Sequence, residues 1–170
     1  NYAAACEDTW SYPVFEWKKE LGLQDDSFYF NAGVLLLNLS KMREVNLTDK
    51  LFICSREIND IMKYQDQDVL NLAMEKHVVL LPLVWNVQQT AFFDTGSSQY
   101  SLSEIEYSKK NPAIIHYSGS HKPWHAGCLN PLWKEYYSFL LISPWKFNHY
   151  KLLQVRTKSF YIKSKRVLKS

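Results

Sequence analysis

The sequence predicts an α/β fold, a mixed or parallel sheet under helical cover, on three observations. Short apolar runs without alternation, at residues 34–37, 78–81 and 113–115, have the pattern of strands covered on both faces. Segments with helical spacing and helix start and stop signals separate them. At 170 residues, 46% hydrophobic and 15% aromatic, the chain is long enough to bury roughly 70% of its unfolded surface. That composition excludes a disordered or fibrous chain.

In chain order, residues 12–22 read as a short helix, with Pro13 near its start and Gly22 able to end it. Asp25, Asp26 and Ser27 make a turn before the apolar strand over 29–39. Thr48 is expected to cap a helix that uses Leu51, Phe52 and Ile58, and a second helix is expected from Asp66 to Lys76, using Val69, Leu70, Leu72 and Ala73. The strand over 78–81 is limited by Pro82. Residues 88–110 are polar and aromatic without clear period and read as an ordered loop with room for short elements. Asn130 and Pro131 start a helix that runs to Ile142 and stops at Ser143-Pro144.

Charge is uneven. Residues 1–135 hold 12 Lys/Arg and all 17 Asp/Glu, net −5, whereas residues 136–170 hold 8 Lys/Arg and no acid, net +8. The stretch 151–170 interleaves seven cations with Leu152, Leu153, Val155, Phe160, Tyr161, Ile162, Val167 and Leu168. Such a segment suits an anionic membrane surface, nucleic-acid phosphates or a solvated face. The acidic body argues against nucleic acid. Three widely spaced cysteines, Cys6, Cys54 and Cys128, suit free thiols better than a disulfide framework or a Cys-rich metal site.

Three segments carry chemistry. Asn31, Ala32 and Gly33 open an apolar strand, where an amide meets hydroxyls or simply ends the strand. Gln65-Asp66-Gln67-Asp68 crowds two acids and two amides at a helix entrance. Capping explains this, and so does a carboxylate and amide that orient a polyol or stabilise developing positive charge. Asp66 and Asp68, two apart, need not share a helix face. Residues 116–125 gather His116, Gly119, His121, Lys122, Trp124 and His125, a set that offers an imidazole for a divalent cation, a turn open to phosphate and a cation to neutralise it. Tyr100 and Trp124 are open to acceptor contact or to core packing. No P-loop, dinucleotide fingerprint or nucleophile elbow occurs. Together these segments suggest a polyol-plus-anion site, chemistry suited to a phosphorylated sugar donor.

At these residues the sequence resembles the retaining glycosyltransferases of family 8, which include lipopolysaccharide galactosyl- and glucosyltransferases. FNAGVLLLNL at 30–39, DQDVLN at 66–71, WN at 85–86 and IHYSGSHKPW at 115–124 are similar to that family's segments, in the same order. The resemblance implies a GT-A-like fold, retaining transfer of a hexose (galactose or glucose) from a UDP-sugar to a glycan or glycolipid acceptor in lipopolysaccharide or capsule synthesis, and Mn2+ (or Mg2+). His116 is then the metal ligand and Gly119 and Lys122 the diphosphate contacts. Asn31, Ala32 and Gly33 become substrate contacts, and Asp66 and Gln67 the pair beside the transferred sugar. Front-face attack suits the amide of Gln67, whereas double displacement would need Asp66.

Residues 1–28 lack the family's Asp-x-Asp motif, and residues 3–8 resemble the strand that follows it. Residues 1–142 are therefore expected to be the C-terminal part of a catalytic domain from a longer enzyme, inactive alone. Residues 143–170 are expected to form a basic amphipathic tail, a membrane-surface segment. The implied location is cytoplasmic and peripheral on the inner face of the membrane, with no nucleic-acid partner. The alternative is a non-catalytic nucleotide- or carbohydrate-binding domain.

Overall fold

The computed structural model describes residues 1–9, 14–93, 98–120, 122–125, 128 and 130–146. The chain forms two compact units, Asn1–Ile114 and Ile115–Ser170.

The first unit is built on a three-stranded mixed sheet of order β2-β1-β3. β1 (Ala3–Glu7) runs antiparallel to β2 (Phe30–Leu37) and parallel to β3 (Val78–Leu80). A register shift between Ala5 and Glu7 ends the regular pairing, so that Glu7 faces Phe30. Such a shift twists the strand end and re-aims the side chains beyond it. Here those side chains are Asp8 and Asn31.

α1 (Val14–Glu20) ends at Gly22, whose φ of +81° is the left-handed turn that glycine adopts without steric cost. The predicted start signal, Pro13, lies outside the described residues. α2 (Leu39–Glu44) follows β2 directly, its start fixed by Asn38 Oδ1, which accepts from Lys41 N at 3.0 Å. α3 (Leu47–Glu57) begins earlier than the expected Thr48 cap: left-handed Asn46 is the cap, and its side-chain amide donates to Asp49. α4 (Asp66–Ala73) starts at the expected Asp66 and ends three residues short of the expected Lys76.

α3 and α4 pack on one side of the sheet. Leu47 and Met74 bury against Ala3, Ala5 and Phe30, with Leu35 and Val78 at the margin. A second cluster joins Trp17, Leu21 and Tyr29 to Cys54, Ile58, Val69 and Ala73. The other sheet face is different from expectation. Leu36 and Val79 both register against Ala4, and they are 67% and 45% exposed. The apolar run correctly marked a strand, but among the described residues of this unit helices pack on one of its faces.

After β3, a 3-10 turn (Leu83–Trp85), β4 (Val87–Gln88) and a second 3-10 turn (Gln89–Phe92) lead to α5 (Leu102–Lys110). This helix lies within the segment read as a loop. Ser101 Oγ accepts from Glu104 N at 3.2 Å, the Ser-x-x-Glu start signal that the weak apolar spacing obscured. Ile105 of α5 joins Cys6, Leu83, Ala91 and Tyr100 in a third cluster.

The second unit contains β5 (Ile115–His116) and α6 (Trp133–Ile142). Asn130 Oδ1 accepts from Leu132 N at 2.8 Å and holds the turn ahead of α6, so the helix proper starts two residues after Pro131. All three cysteines are free thiols. Among the described residues no helix is long and apolar enough to cross a membrane.

Candidate functional site

In the first unit, four of the sequence-predicted site residues meet at the end of the sheet. Asn71 of α4 sets their spacing. Its amide accepts from Phe30 N and donates to Phe30 O, both at 2.8 Å, imitating a strand partner across 41 residues of chain. It also donates to Gln67 O at 2.8 Å. The residue before Asn31 is thereby tied to the helix turn that carries Gln67.

Gln67 closes the network with both ends of its amide. Oε1 accepts from Ala32 N at 3.0 Å and Asn31 Nδ2 at 3.2 Å, while Nε2 donates to Asp8 Oδ2 at 2.9 Å. Asn31 Nδ2 also donates to Asp8 Oδ2 at 3.1 Å. On its other side Asn31 Oδ1 accepts from Gly33 N at 3.0 Å and from the buried Asn86 Nδ2 at 2.9 Å. Asn31, Ala32, Gly33 and Gln67 therefore meet with Asn86, the Asn of the WN pair, and with Asp8, which sequence reasoning did not single out. Its only signal was a carboxylate just past a strand.

Asp8 is the chemically open member. One oxygen takes two amide donors, while Oδ1 is buried and has no hydrogen-bond partner among the described residues. A buried acceptor without a donor costs about 1–3 kcal/mol and more when charged. Such an oxygen is suited to accept a hydroxyl from a bound ligand, or to face developing positive charge.

The acidic pair of α4 divides. Asp66 sits exposed on the first residue of the helix. Asp68 is fully buried. Its Oδ1 accepts from Trp17 Nε1 at 2.9 Å and Tyr29 OH at 2.5 Å, and its Oδ2 from Lys63 N at 2.8 Å and Tyr64 N at 2.6 Å. Burial, with the bond to Asp68, pushes the Tyr29 hydroxyl far above its ordinary range. Asp68 is thus a structural clamp between α1, β2 and the α4 entrance. Between them Gln65 holds φ +51° and ψ −121°, a region costly for a residue with a Cβ. Asp68's grip on the two preceding backbone N–H groups holds that turn in place.

Glu7 ties the neighbouring segments together. Its Oε2 accepts from Ser98 Oγ at 2.6 Å and Gln99 N at 2.8 Å, and its backbone O accepts from Gln88 Nε2 at 2.9 Å. Burial raises the Glu7 carboxyl above its ordinary value, with those hydrogen bonds opposing. Tyr100 belongs to the core: its hydroxyl donates to Leu81 O at 2.8 Å and accepts from Glu7 N at 3.1 Å.

In the second unit His116 is half-buried in β5, and Gly119 takes φ +70° with open space where a Cβ would stand. Lys122 Nζ donates to Tyr117 O at 2.5 Å, and His125 Nδ1 lies 2.9 Å from Ser120 O. The left-handed turn at Gly119 and the ammonium of Lys122 are therefore built into one compact loop. Trp124 is 45% exposed, with its ring 5.3 Å from that of Tyr136. His121 lies outside the described residues. Among the described residues no group of three or more His, Cys, Asp or Glu side chains is placed to hold a metal ion, so His116 alone does not make a metal site.

The sequence profile of glycosyl transferase family 8 matches residues 1–128. General stress protein A of Bacillus subtilis is 30% identical over 146 residues, 84% of this chain and 50% of that protein. Lipopolysaccharide 1,2-glucosyltransferase of Escherichia coli K12 is 33% identical over 121 residues, 69% of this chain and 35% of that protein. Among solved structures, galactosyltransferase LgtC in complex with donor and acceptor sugar analogues superposes with a TM-score of 0.67 at 28% identity, covering 81% of this chain and 50% of that one. The chain spans half or less of the length of these relatives.

Proposed function

The chain belongs to glycosyl transferase family 8, and on that premise we propose that it supplies part of the site of a retaining hexosyltransferase. The donor would be a UDP-hexose, with galactose or glucose as the sugar, and the acceptor a glycan or glycolipid of lipopolysaccharide or capsule synthesis. The fold agrees with that of GT-A-type transferases.

The observation that carries the proposal is Asp8 Oδ1, a buried carboxylate oxygen that has no donor among the described residues, inside a network of amides. A hexose brings a ring of hydroxyl donors and acceptors, and the cluster offers both. In transfer with retention by front-face attack, the bond from the anomeric carbon to the diphosphate breaks while the acceptor oxygen bonds on the same face. The acceptor's proton passes to the departing phosphate oxygen. Asp8 would face the positive charge that develops on the sugar. Gln67, with both amide ends engaged, would hold Asp8 and the Ala32 backbone in position, and its neutral amide is a poor nucleophile. Asn31, Ala32 and Gly33 would line the sugar, and exposed Asp66 would reach it from the helix start. Gly119 and Lys122 would take the diphosphate, through a turn open to close approach and a cation.

A divalent cation such as Mn2+ would stabilise the departing diphosphate. His116 would be one of its ligands only alongside acidic ligands from another part of a longer protein, because the described residues do not make a metal site by themselves. The basic stretch 143–170, of which 147–170 lie outside the described residues, would bring the protein to lipid-linked acceptors at the inner membrane face.

Calorimetric titration of UDP, UDP-galactose and UDP-glucose into the chain, with Mn2+ and then with EDTA, tests the proposal. The expected result is tighter binding of one UDP-hexose than of UDP, with that advantage lost in Asp8→Asn. Equal binding of UDP and both UDP-hexoses, or an advantage untouched by Asp8→Asn, would overturn it.

A further inference from the structure

The Trp-Asn pair at 85–86 meets the site through a residue that the chemistry proposed above leaves unused. After β3 the chain passes Pro82 into the 3-10 turn Leu83–Trp85, where Trp85 N donates to Pro82 O at 3.1 Å and Asn86 N to Leu83 O at 3.0 Å. Trp85 is half-exposed, whereas Asn86 is fully buried. The Asn is therefore the member of the pair turned toward Asn31.

A primary amide can turn about its last torsion with little change in shape, and its hydrogen-bond partners decide which end faces which neighbour. For Asn31 the two sides are unlike. Nδ2 donates to Asp8 Oδ2 at 3.1 Å and to Gln67 Oε1 at 3.2 Å, while Oδ1 accepts from Gly33 N at 3.0 Å and from Asn86 Nδ2 at 2.9 Å. Turned over, Asn31 would set its oxygen against a carboxylate and an amide oxygen. The Gly33 donor lies on the same strand and moves with Asn31. Among the described residues Asn86, 55 positions further along the chain, is the donor that reaches Oδ1 from another element.

We infer that Asn86 is a positioning residue: by donating to Asn31 Oδ1 it holds the Asn31 amide in one orientation and keeps both Nδ2 protons between Asp8 and Gln67. Asp8 Oδ2 is then occupied by two fixed donors, and a hydroxyl-bearing ligand meets Oδ1. The consequence for a ligand rests on the hexose site proposed above, whereas the orientation of Asn31 does not.

The test is hydrogen exchange of the side-chain amides, followed by heteronuclear NMR on the 170-residue chain without ligand, with the exposed Asn59 as reference. In the parent chain the Asn31 Nδ2 protons should exchange at least about tenfold more slowly than those of Asn59. Asn86→Leu fills the same space without a donor, and Asn86→Ala leaves a gap. Both should speed Asn31 exchange by about tenfold, whereas Ile58→Val, which thins a core cluster that does not include Asn31, should leave it unchanged. Slow exchange retained in Asn86→Leu but lost in Asn86→Ala would mean that Asn86 fills space, and would overturn the inference. Asn31 exchange as fast as that of Asn59 in the parent, a comparison that needs no variant, would also overturn it. Calorimetry with UDP and the UDP-hexoses separates the ligand from the geometry: Asn86→Leu should lose the preference for a hexose while binding UDP as the parent does. A preference that survives although Asn31 exchange has risen would overturn the role of Asn86 at the site. A parent chain with no such preference would overturn the hexose site itself, and the amide exchange would still decide for or against Asn86.

Discussion

Two carboxylates in the first unit, one fully buried and one half-buried, behave as opposites, although both are tied to α4. At the entrance to that helix Asp68 accepts four donors, two on each oxygen, from an indole, a phenol and two backbone amides. At the end of β1, Asp8 accepts two side-chain amides on one oxygen and, among the described residues, nothing on the other. The first arrangement is closed and serves the fold, because every lone pair a buried carboxylate must satisfy is met within the protein. The second is open and retains an unmet acceptor, an arrangement that costs stability unless a ligand completes it.

The difference can be broken at either end. The largest effect belongs to Asp68→Asn. An Asn at this position turns one acceptor oxygen into a donor and sets it against two existing donors, so loss of about 3–5 kcal/mol is expected by urea unfolding, together with release of the Lys63–Tyr64 turn. Tyr29→Phe removes one of the four donors and leaves the ring in the core. It should cost about 2 kcal/mol, the worth of a hydrogen bond to a charged acceptor.

Glu7 supplies an intermediate case and a smaller effect. Its carboxyl is raised by burial, so the folded state favours the protonated form more than the unfolded chain does. The stability this contributes is present below the ordinary carboxylate range and is lost as pH rises through the raised value. Unfolding free energy should therefore fall with rising pH across that window, and Glu7→Gln should flatten the slope there. An unchanged slope in Glu7→Gln would remove Glu7 as its source.

Much of this was legible in the sequence. The uninterrupted apolar runs placed β2 and β3, and Gly22 marked the end of α1, whereas α6 starts two residues after the Pro131 expected to open it. The amides of Asn31 and Gln67 were singled out, and the structure joins them through hydrogen bonds. Less legible was anything that depends on which partner a strand acquires. The run at 34–37 predicted cover on both faces, yet Leu36 is exposed, and among the described residues of the first unit the helices pack on the other side of the sheet. Asp66 and Asp68 look alike in sequence, and only the fold puts one in solvent and the other beside Trp17 and Tyr29. Asp8 was not singled out although residues 3–8 resemble a strand of the family, since its position is set by a register shift in β1 and by an amide 59 residues away. α5 was obscured by its polar composition, although Ser101 and Glu104 carried the start signal.

The contrast between the closed and the open carboxylate is tested most directly by urea unfolding of Asp8→Asn and Asp68→Asn, measured side by side in the 170-residue chain. Asp8→Asn should change stability by no more than about 1 kcal/mol, because the substitution removes a charge with an unmet acceptor, whereas Asp68→Asn should lose about 3–5 kcal/mol. Equal losses, or a larger loss at Asp8, would contradict the assignment of Asp68 to the fold and Asp8 to a ligand.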